Sequence, residues 1–108
     1  MNRRDIKIYV TDLGDKPFNK WFNKLNTATA TIVRKYIERV ASGGSKKNIK
    51  SLQDGIFEIK INYGPGYRVY FAEEKKFILL LLVGGNKNSQ QSDILTAKKY
   101  WRDYGKKK

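Results

Sequence analysis

The sequence predicts a small α+β domain, with helices kept apart from an antiparallel sheet. Three segments alternate apolar and polar residues with a period of two, a fourth is apolar throughout, and three others have helical spacing. Their order is β-α-α-β-β-β-α, so the three consecutive strands are expected to pair as an antiparallel meander. With 108 residues, of which 40% are hydrophobic, the chain can bury one core, and we expect a single domain over residues 1–108.

The N-terminal part of the chain predicts a strand followed by two antiparallel helices. In the strand, Ile6, Ile8 and Val10 alternate with polar residues. Asp15 stands where it can cap the first helix, and Pro17 lies in the first turn of that helix. The apolar stripes are Phe18, Trp21, Phe22 and Leu25 in the first helix, and Ile32, Val33, Tyr36, Ile37 and Val40 in the second.

The C-terminal part predicts a basic loop, three strands and a final helix. Residues 42–55 are rich in Gly, Ser, Asn and Lys, which indicates a loop anchored in the core by Leu52. Strands follow at 56–61, 67–71 and 77–83, and the last is apolar at every position, as expected for a strand buried on both faces. The final helix has its apolar residues spaced by three and four: Ile94, Ala97, Trp101 and Tyr104.

Turn residues separate these strands. Pro65 and Gly66 suit the two central positions of a type II turn, because proline presets φ and glycine tolerates positive φ. Residues 73–76 predict the next hairpin turn. Gly84 and Gly85 are expected to end the last strand, and the chain then turns into the final helix.

Charge is the most unusual property of the composition. Lysine and arginine number 23 and acidic residues 10, so the net charge is +13, which indicates an anionic partner without choosing among DNA, RNA, membrane and acidic protein. The absence of cysteine and histidine excludes disulfides, cysteine zinc sites and Ser-His-Asp catalysis. The longest apolar run, at 77–83, is far shorter than the roughly 20 residues of a membrane span. We therefore expect a soluble, cytoplasmic protein with no membrane partner.

Strand alternation predicts one polar sheet face with the residue types for phosphodiester chemistry. If Phe57, Ile59 and Ile61 pack under the helical hairpin, Glu58 and Lys60 point to the opposite face, where Arg68 and Tyr70 can join them. A guanidinium grips phosphate oxygens, an ammonium neutralises developing charge and a carboxylate accepts a proton. The alternative is a solvated ion-pair network of Glu58, Lys60 and Arg68 with no chemical role.

Other basic residues are candidates for contacts with a polyanion, or they form an ordinary solvated face. Lys87, in a turn after two glycines, can place a charge near a bound phosphate, or it is an ordinary solvated lysine. Tyr70 is the one aromatic placed to stack on a base, whereas Trp101 is expected in the core. The candidates for contacts with the phosphate backbone are Lys46, Lys47, Lys50, Lys98, Lys99, Arg102, Lys106, Lys107 and Lys108.

Four segments, in this order, resemble the RelE/ParE superfamily of toxins from type II toxin-antitoxin modules, and specifically its phage-related HigB-like branch. The segments are 18–22 (FNKWF), 55–60 (GIFEIK), 64–70 (GPGYRVY) and 84–94 (GGNKNSQQSDI). The likeness extends over nearly the whole chain. It implies the small RelE-like fold, which agrees with the element order predicted from periodicity.

The resemblance implies an mRNA endonuclease that acts in the ribosomal A site, needs no cofactor and is neutralised by a cognate antitoxin. In this family the ribose 2′-oxygen attacks the adjacent phosphate. By position, Arg68 matches the arginine that contacts the scissile phosphate, and Lys60 and Lys87 match functional basic positions. Relatives often have Tyr or His near the start of the last helix, where this chain has residues 90–93 (QQSD). Glu58 or Asp93 is therefore our candidate proton carrier.

Two other functions remain open. A ParE-like protein with the same fold inhibits DNA gyrase by protein contact, and a noncatalytic basic module binds RNA without cutting it. The retained Lys60, Arg68 and Lys87 favour the nuclease, because an inhibitor has no need of phosphate-binding groups on one face. Translation arrest with cut mRNA, against a DNA damage response without cut mRNA, separates the first two functions.

Overall fold

A five-stranded sheet lies between two helical layers in the computed structural model, which describes residues 3–44 and 46–106. The strands are β1 (Asp5–Ile8), β2 (Ile49–Ser51), β3 (Ile56–Ile61), β4 (Tyr67–Glu74) and β5 (Ile78–Asn86). The helices are α1 (Pro17–Phe22), α2 (Thr27–Ala41) and α3 (Gln90–Lys106), and a 3-10 turn at Lys87–Ser89 precedes α3. The predicted α+β class is confirmed.

The sheet is mixed and has the strand order β1-β5-β4-β3-β2. The predicted antiparallel meander of β3, β4 and β5 is confirmed, whereas β1 pairs with β5 in parallel. The prediction that residues 42–55 form a loop is wrong in part, because Ile49–Ser51 pairs with β3 as an edge strand. Ile49 lies opposite Ile59 and packs on the same core, which explains why this short segment joins the sheet.

Each face of the sheet has its own core. The face under α1 and α2 buries Ile59, Ile61, Val69, Phe71, Leu79 and Leu81 against Phe18, Val33, Ile37 and Val40. The face under α3 buries Tyr9, Ile56, Tyr70, Ala72, Leu80, Leu82 and Ala97. The alternation along Leu79–Leu82 confirms that β5 is buried on both faces, although Phe77, the first residue of the apolar run, is 62% exposed.

Several predicted ends and caps differ from the structure. Asp15 does not cap α1: Lys16 occupies the N-cap position without a side-chain hydrogen bond, and Asp15 pairs with Lys20 at 3.2 Å. Asn26 caps α2 by accepting a hydrogen bond from the backbone N–H of Thr29. In β1 the strand ends at Ile8, so the expected inward position of Val10 is wrong and Val10 is exposed.

The turns also differ in detail. The backbone N–H of Gly66 donates to the carbonyl of Tyr63, which places Gly64 and Pro65 at the centre of the turn, one residue earlier than predicted. Gly84 and Gly85 do not end the last strand but pair with β4 inside β5. A Cβ on Gly84 would lie 2.2 Å from the ring of Trp21, so glycine is needed there for α1 to approach the sheet.

Candidate active site

Strands β3 and β4 bring four polar side chains to the sheet face that carries α3. In the ladder Glu58 lies opposite Tyr70, and Lys60 lies opposite Arg68. Directly opposed residues share a face, so the predicted grouping is what the register produces. The edge strand β2 adds Lys50, which lies opposite Glu58 and had been predicted in a loop.

Arg68 and Glu58 form a buried ion pair at the centre of this face. Arg68 Nε lies 3.8 Å from Glu58 Oε2, and the residues are only 8% and 4% exposed. Glu58 Oε2 also accepts a 2.9 Å hydrogen bond from Gln90 Nε2 at the start of α3. Within residues 3–44 and 46–106, no group accepts a hydrogen bond from the Arg68 guanidinium, and its Nε is fully buried. The guanidinium therefore has hydrogen-bond donors that no described residue satisfies.

Tyr70 lies opposite Glu58 on the neighbouring strand and has no exposed surface. Its ring is therefore not available to stack on a base, contrary to prediction, because α3 covers this part of the sheet. Burial and then the neighbouring Glu58 carboxylate raise the pKa of the Tyr70 phenol well above its usual range. Although Glu58 lies beside it, the hydroxyl has no partner with hydrogen-bond geometry in the described part of the chain. Tyr70 remains a neutral phenol at physiological pH.

Asp93 lies in the first turn of α3, beside Gly85 of β5. Ser89 Oγ donates a 2.5 Å hydrogen bond to Asp93 Oδ2. A Cβ on Gly85 would lie 1.8 Å from this oxygen, so glycine is required for the helix start to approach the strand. Gly85 is buried and lies opposite Arg68 in the ladder, so it does not form the open turn that was predicted to bind phosphate.

Two exposed lysines lie close in sequence to the group formed by Arg68, Glu58 and Gln90: they are Lys60 and Lys87. Lys60 is exposed at the end of β3, across from Arg68. Lys87 is exposed in the 3-10 turn, two residues after the Gly85 that faces Arg68 in the ladder. Neither lysine forms an ion pair or side-chain hydrogen bond with a described residue. Both charges are therefore free to act on a ligand at the Arg68 end of the face.

The other predicted RNA contacts are spread over several surfaces. Lys46 lines a small cavity on the side of α1 and α2, and Lys47 is exposed nearby in the sequence. Lys98 pairs with Asp54 at 3.5 Å. Lys99 lines a different cavity, beside Tyr9 and Asp103, whereas Arg102 and Lys106 are exposed on α3, and Lys107 and Lys108 lie outside the described residues. The structure thus groups Lys50, Lys60 and Arg68 but separates Lys46 from them.

Gln90 is the member of the site that sequence reasoning treated only as a departure from relatives. Its amide contacts Glu58 across 32 residues of sequence. The available signal was its position at the start of the last helix, in the segment that contains Asp93. Residues 3–44 and 46–106 contain no group of three or more acidic side chains that could hold a metal ion, and no helix among them is long and apolar enough to span a membrane.

Comparison with known proteins places this site in a family. The phage-derived Gp49-like proteins (DUF891) match residues 20–101, which include every member of the site described above. An uncharacterized protein of Haemophilus influenzae (strain Rd) is 38% identical over 82 residues, which are 75% of this chain and 82% of the relative. The chain therefore belongs to the family of phage-derived Gp49-like proteins.

Proposed function

We propose that this protein is the toxin of a type II toxin-antitoxin module and a metal-independent endoribonuclease that cuts mRNA on the ribosome. The observation that carries the proposal is the Arg68 guanidinium, which is nearly buried, paired with one carboxylate and without a hydrogen-bond acceptor among the described residues. An arginine that serves only as a surface charge is not buried beside a carboxylate in this way. Membership in the Gp49-like family, a toxin-antitoxin-associated family, supports a toxin-like function.

The proposed reaction uses the side chains already grouped on this face. Arg68 binds the non-bridging oxygens of the scissile phosphate, and Lys60 neutralises the charge that develops on them. The ribose 2′-oxygen attacks phosphorus and the bond to the 5′-oxygen breaks. Glu58, the carboxylate that faces Arg68, accepts the 2′-hydroxyl proton, and the leaving oxygen receives a proton from solvent. Products are a 2′,3′-cyclic phosphate and a 5′-hydroxyl.

Two further groups support this arrangement in the proposal. Lys87 holds the adjacent phosphate from the turn before α3. Asp93 is the alternative proton carrier, although its carboxylate is already engaged by the Ser89 hydroxyl. Glu58 is almost fully buried and Gln90 engages its Oε2, so in the proposal either the Gln90 amide moves aside or the other oxygen, Oε1, accepts the proton.

The proposed protein partner is a cognate antitoxin with an acidic segment that covers the basic surface. A chain with a net charge of +13 attracts such a segment over a distance comparable to the Debye length. Association should therefore slow as ionic strength rises. An association rate that does not change with salt would contradict this part of the proposal.

Tightly induced expression of the chain without antitoxin, with mapping of cellular mRNA 5′ ends, tests the proposal. Wild type should arrest growth and produce new 5′ ends on translated messages. Arg68→Ala should abolish both while the purified variant keeps the circular dichroism spectrum of the wild type. Arg39→Ala, which removes the same charge from α2 on the other side of the sheet, is the matched control and should stay toxic.

Two outcomes would reject the proposal. Full toxicity of a folded Arg68→Ala variant would remove Arg68 from the mechanism. A DNA damage response with intact mRNA would instead favour the gyrase inhibitor.

A further inference from the structure

A hollow of about 500 Å³ lies at the other end of the α3 face, outside the candidate active site. It opens between the C-terminal half of α3 and the loop that precedes β3, and its volume is within the range of small-ligand sites. Its lining is Asp54, Lys98, Trp101, Arg102 and Gly105. We call it the Trp101 hollow.

Trp101 packs against the core on the α3 face, as the sequence predicted, but its indole is only half-buried and lines this hollow. The ring is held by stacking on Tyr104, with centroids 5.8 Å apart and planes at 14°. The indole N–H donates no hydrogen bond to any residue of 3–44 or 46–106. A partly exposed aromatic surface that is held in place by a stacked neighbour is suited to stacking on a base.

The loop wall of the hollow has an unusual backbone. Gln53, Asp54 and Gly55 all have positive φ, of 70°, 55° and 83°, and the first two are not glycine. A Cβ on Gly55 would lie 2.8 Å from the indole nitrogen, so glycine lets the loop close against Trp101. Non-glycine residues keep such backbone conformations only where the surrounding structure holds them, and residues of this kind cluster at binding sites.

Two cations flank the indole. Lys98 and Arg102 are four residues apart on α3, so they lie on the same side of the helix, with Trp101 between them in sequence. Asp54 pairs with Lys98 at 3.5 Å, but the Asp54 side chain is 72% exposed and such a pair contributes little stability. A phosphate can therefore replace Asp54 as the partner of Lys98.

The Trp101 hollow and the candidate active site lie along one strand. Ile56, at the start of β3, and Lys60, near its end, point to the same sheet face, four residues or roughly 13 Å apart. Lys50 lies beside Glu58 between them. Ile56 and Glu58 are buried, so a single polyanionic strand that contacts both sites passes over the exposed Lys50 of the edge strand.

We propose that the Trp101 hollow is a second subsite for single-stranded RNA, in which a base stacks on Trp101 while Lys98 and Arg102 bind its phosphates. The proposal rests on the proposed function for its choice of RNA as ligand. An aromatic surface flanked by cations recognises exposed bases, and double-stranded RNA does not expose its bases for stacking.

The test measures binding of a fluorescently labelled oligouridylate of about ten nucleotides to the full chain without ribosomes, in an Arg68→Ala background that cannot cut it. Trp101→Leu should weaken binding roughly five- to hundredfold, as expected when one stacked base is lost. Lys99→Ala, which faces another cavity, is the matched control for Arg102→Ala and should weaken binding less. Unchanged affinity of a folded Trp101→Leu variant would refute the subsite.

A second variant covers the case in which Trp101→Leu does not fold. Asp54→Asn removes the competing carboxylate and keeps a residue that tolerates positive φ. Asp54→Asn should tighten oligouridylate binding. RNA should therefore quench the tryptophan fluorescence of this variant at a lower concentration than it does for the protein that keeps Asp54. No gain in affinity, or equal affinity for a double-stranded oligonucleotide, would contradict the proposal.

Failure of the subsite and failure of the proposed function are distinguishable. If toxicity requires Arg68 but the affinity for oligouridylate is the same in the Trp101 and Asp54 variants, only the subsite is rejected. Binding that depends on Trp101 in a protein that neither arrests growth nor cuts mRNA rejects the nuclease and retains the RNA subsite.

Discussion

Replacing Glu58 with glutamine removes the negative partner of Arg68 and keeps nearly the same side-chain volume. At the 3.8 Å between Arg68 Nε and Glu58 Oε2, the attraction is about 4 kcal/mol at an effective dielectric constant of 20. Glutamine is neutral, so the nearly buried Arg68 charge is left without compensation, which typically costs about 3–5 kcal/mol. We therefore expect the free energy of unfolding to fall by about 3 kcal/mol, and the melting midpoint by about 12 °C for a domain of this length.

Thermal unfolding followed by circular dichroism, with and without inorganic phosphate, measures this effect. The variant leaves Arg68 without a negative partner, so phosphate should raise the melting midpoint of Glu58→Gln more than that of the wild type. Glu38→Gln is the matched control, because Glu38 pairs with Arg3 at 2.8 Å on the surface and its loss should cost less than about 1 kcal/mol. A Glu58→Gln variant as stable as the wild type, with no added response to phosphate, would refute the reasoning.

Three other changes have definite expected outcomes. Gly85→Ala places a Cβ 1.8 Å from Asp93 Oδ2 and should lower the free energy of unfolding by about 1–3 kcal/mol in urea titrations; no loss would contradict the close approach of α3. Because the folded-state pKa of Tyr70 is raised, its contribution to stability is complete below about pH 10 and is lost as the pH rises further, at up to about 1.4 kcal/mol per pH unit. The free energy of unfolding of Tyr70→Phe should therefore rise relative to that of the wild type between pH 8 and pH 11. If the difference between the two proteins is the same at both pH values, the raised pKa of Tyr70 is contradicted. Lys60→Ala should lower the slope of log affinity against log salt concentration for oligoribonucleotide binding by about one, the loss of one phosphate contact. Lys35→Ala on α2 should leave this slope unchanged.

The faces of the central strands were predictable, and the contents of the site only in part. Period-two alternation determined that Glu58 and Arg68 share a face, because register follows once the apolar residues are buried. The burial of Tyr70 was not predictable from alternation, since it depends on where α3 crosses the sheet. Gln90 was missed for the same reason: its contact with Glu58 exists only after the helix is docked.

The misplaced elements have a common physical cause. The β2 segment Ile49–Ser51 has three residues, too few to show a period, and its strand conformation comes from pairing with β3. Gly84 and Gly85 were predicted to end β5 because glycine weakens strands. In the structure each glycine admits a side chain from a helix, Trp21 on one face and Asp93 on the other. Local propensity was overridden in both cases by tertiary contacts.

Arg68 needs a negative partner to be buried, and Glu58 supplies it in the absence of substrate. In the proposed reaction a phosphate takes over that role, so Glu58 competes with the ligand for the same guanidinium. The interaction that stabilises the free protein therefore weakens its affinity for phosphate. It follows that Glu58→Gln should lose stability and gain phosphate affinity together, while it loses the group proposed to accept the 2′-hydroxyl proton. A variant that binds substrate mimics more tightly yet cuts RNA more slowly separates the binding role of Arg68 from the proton-transfer role of Glu58.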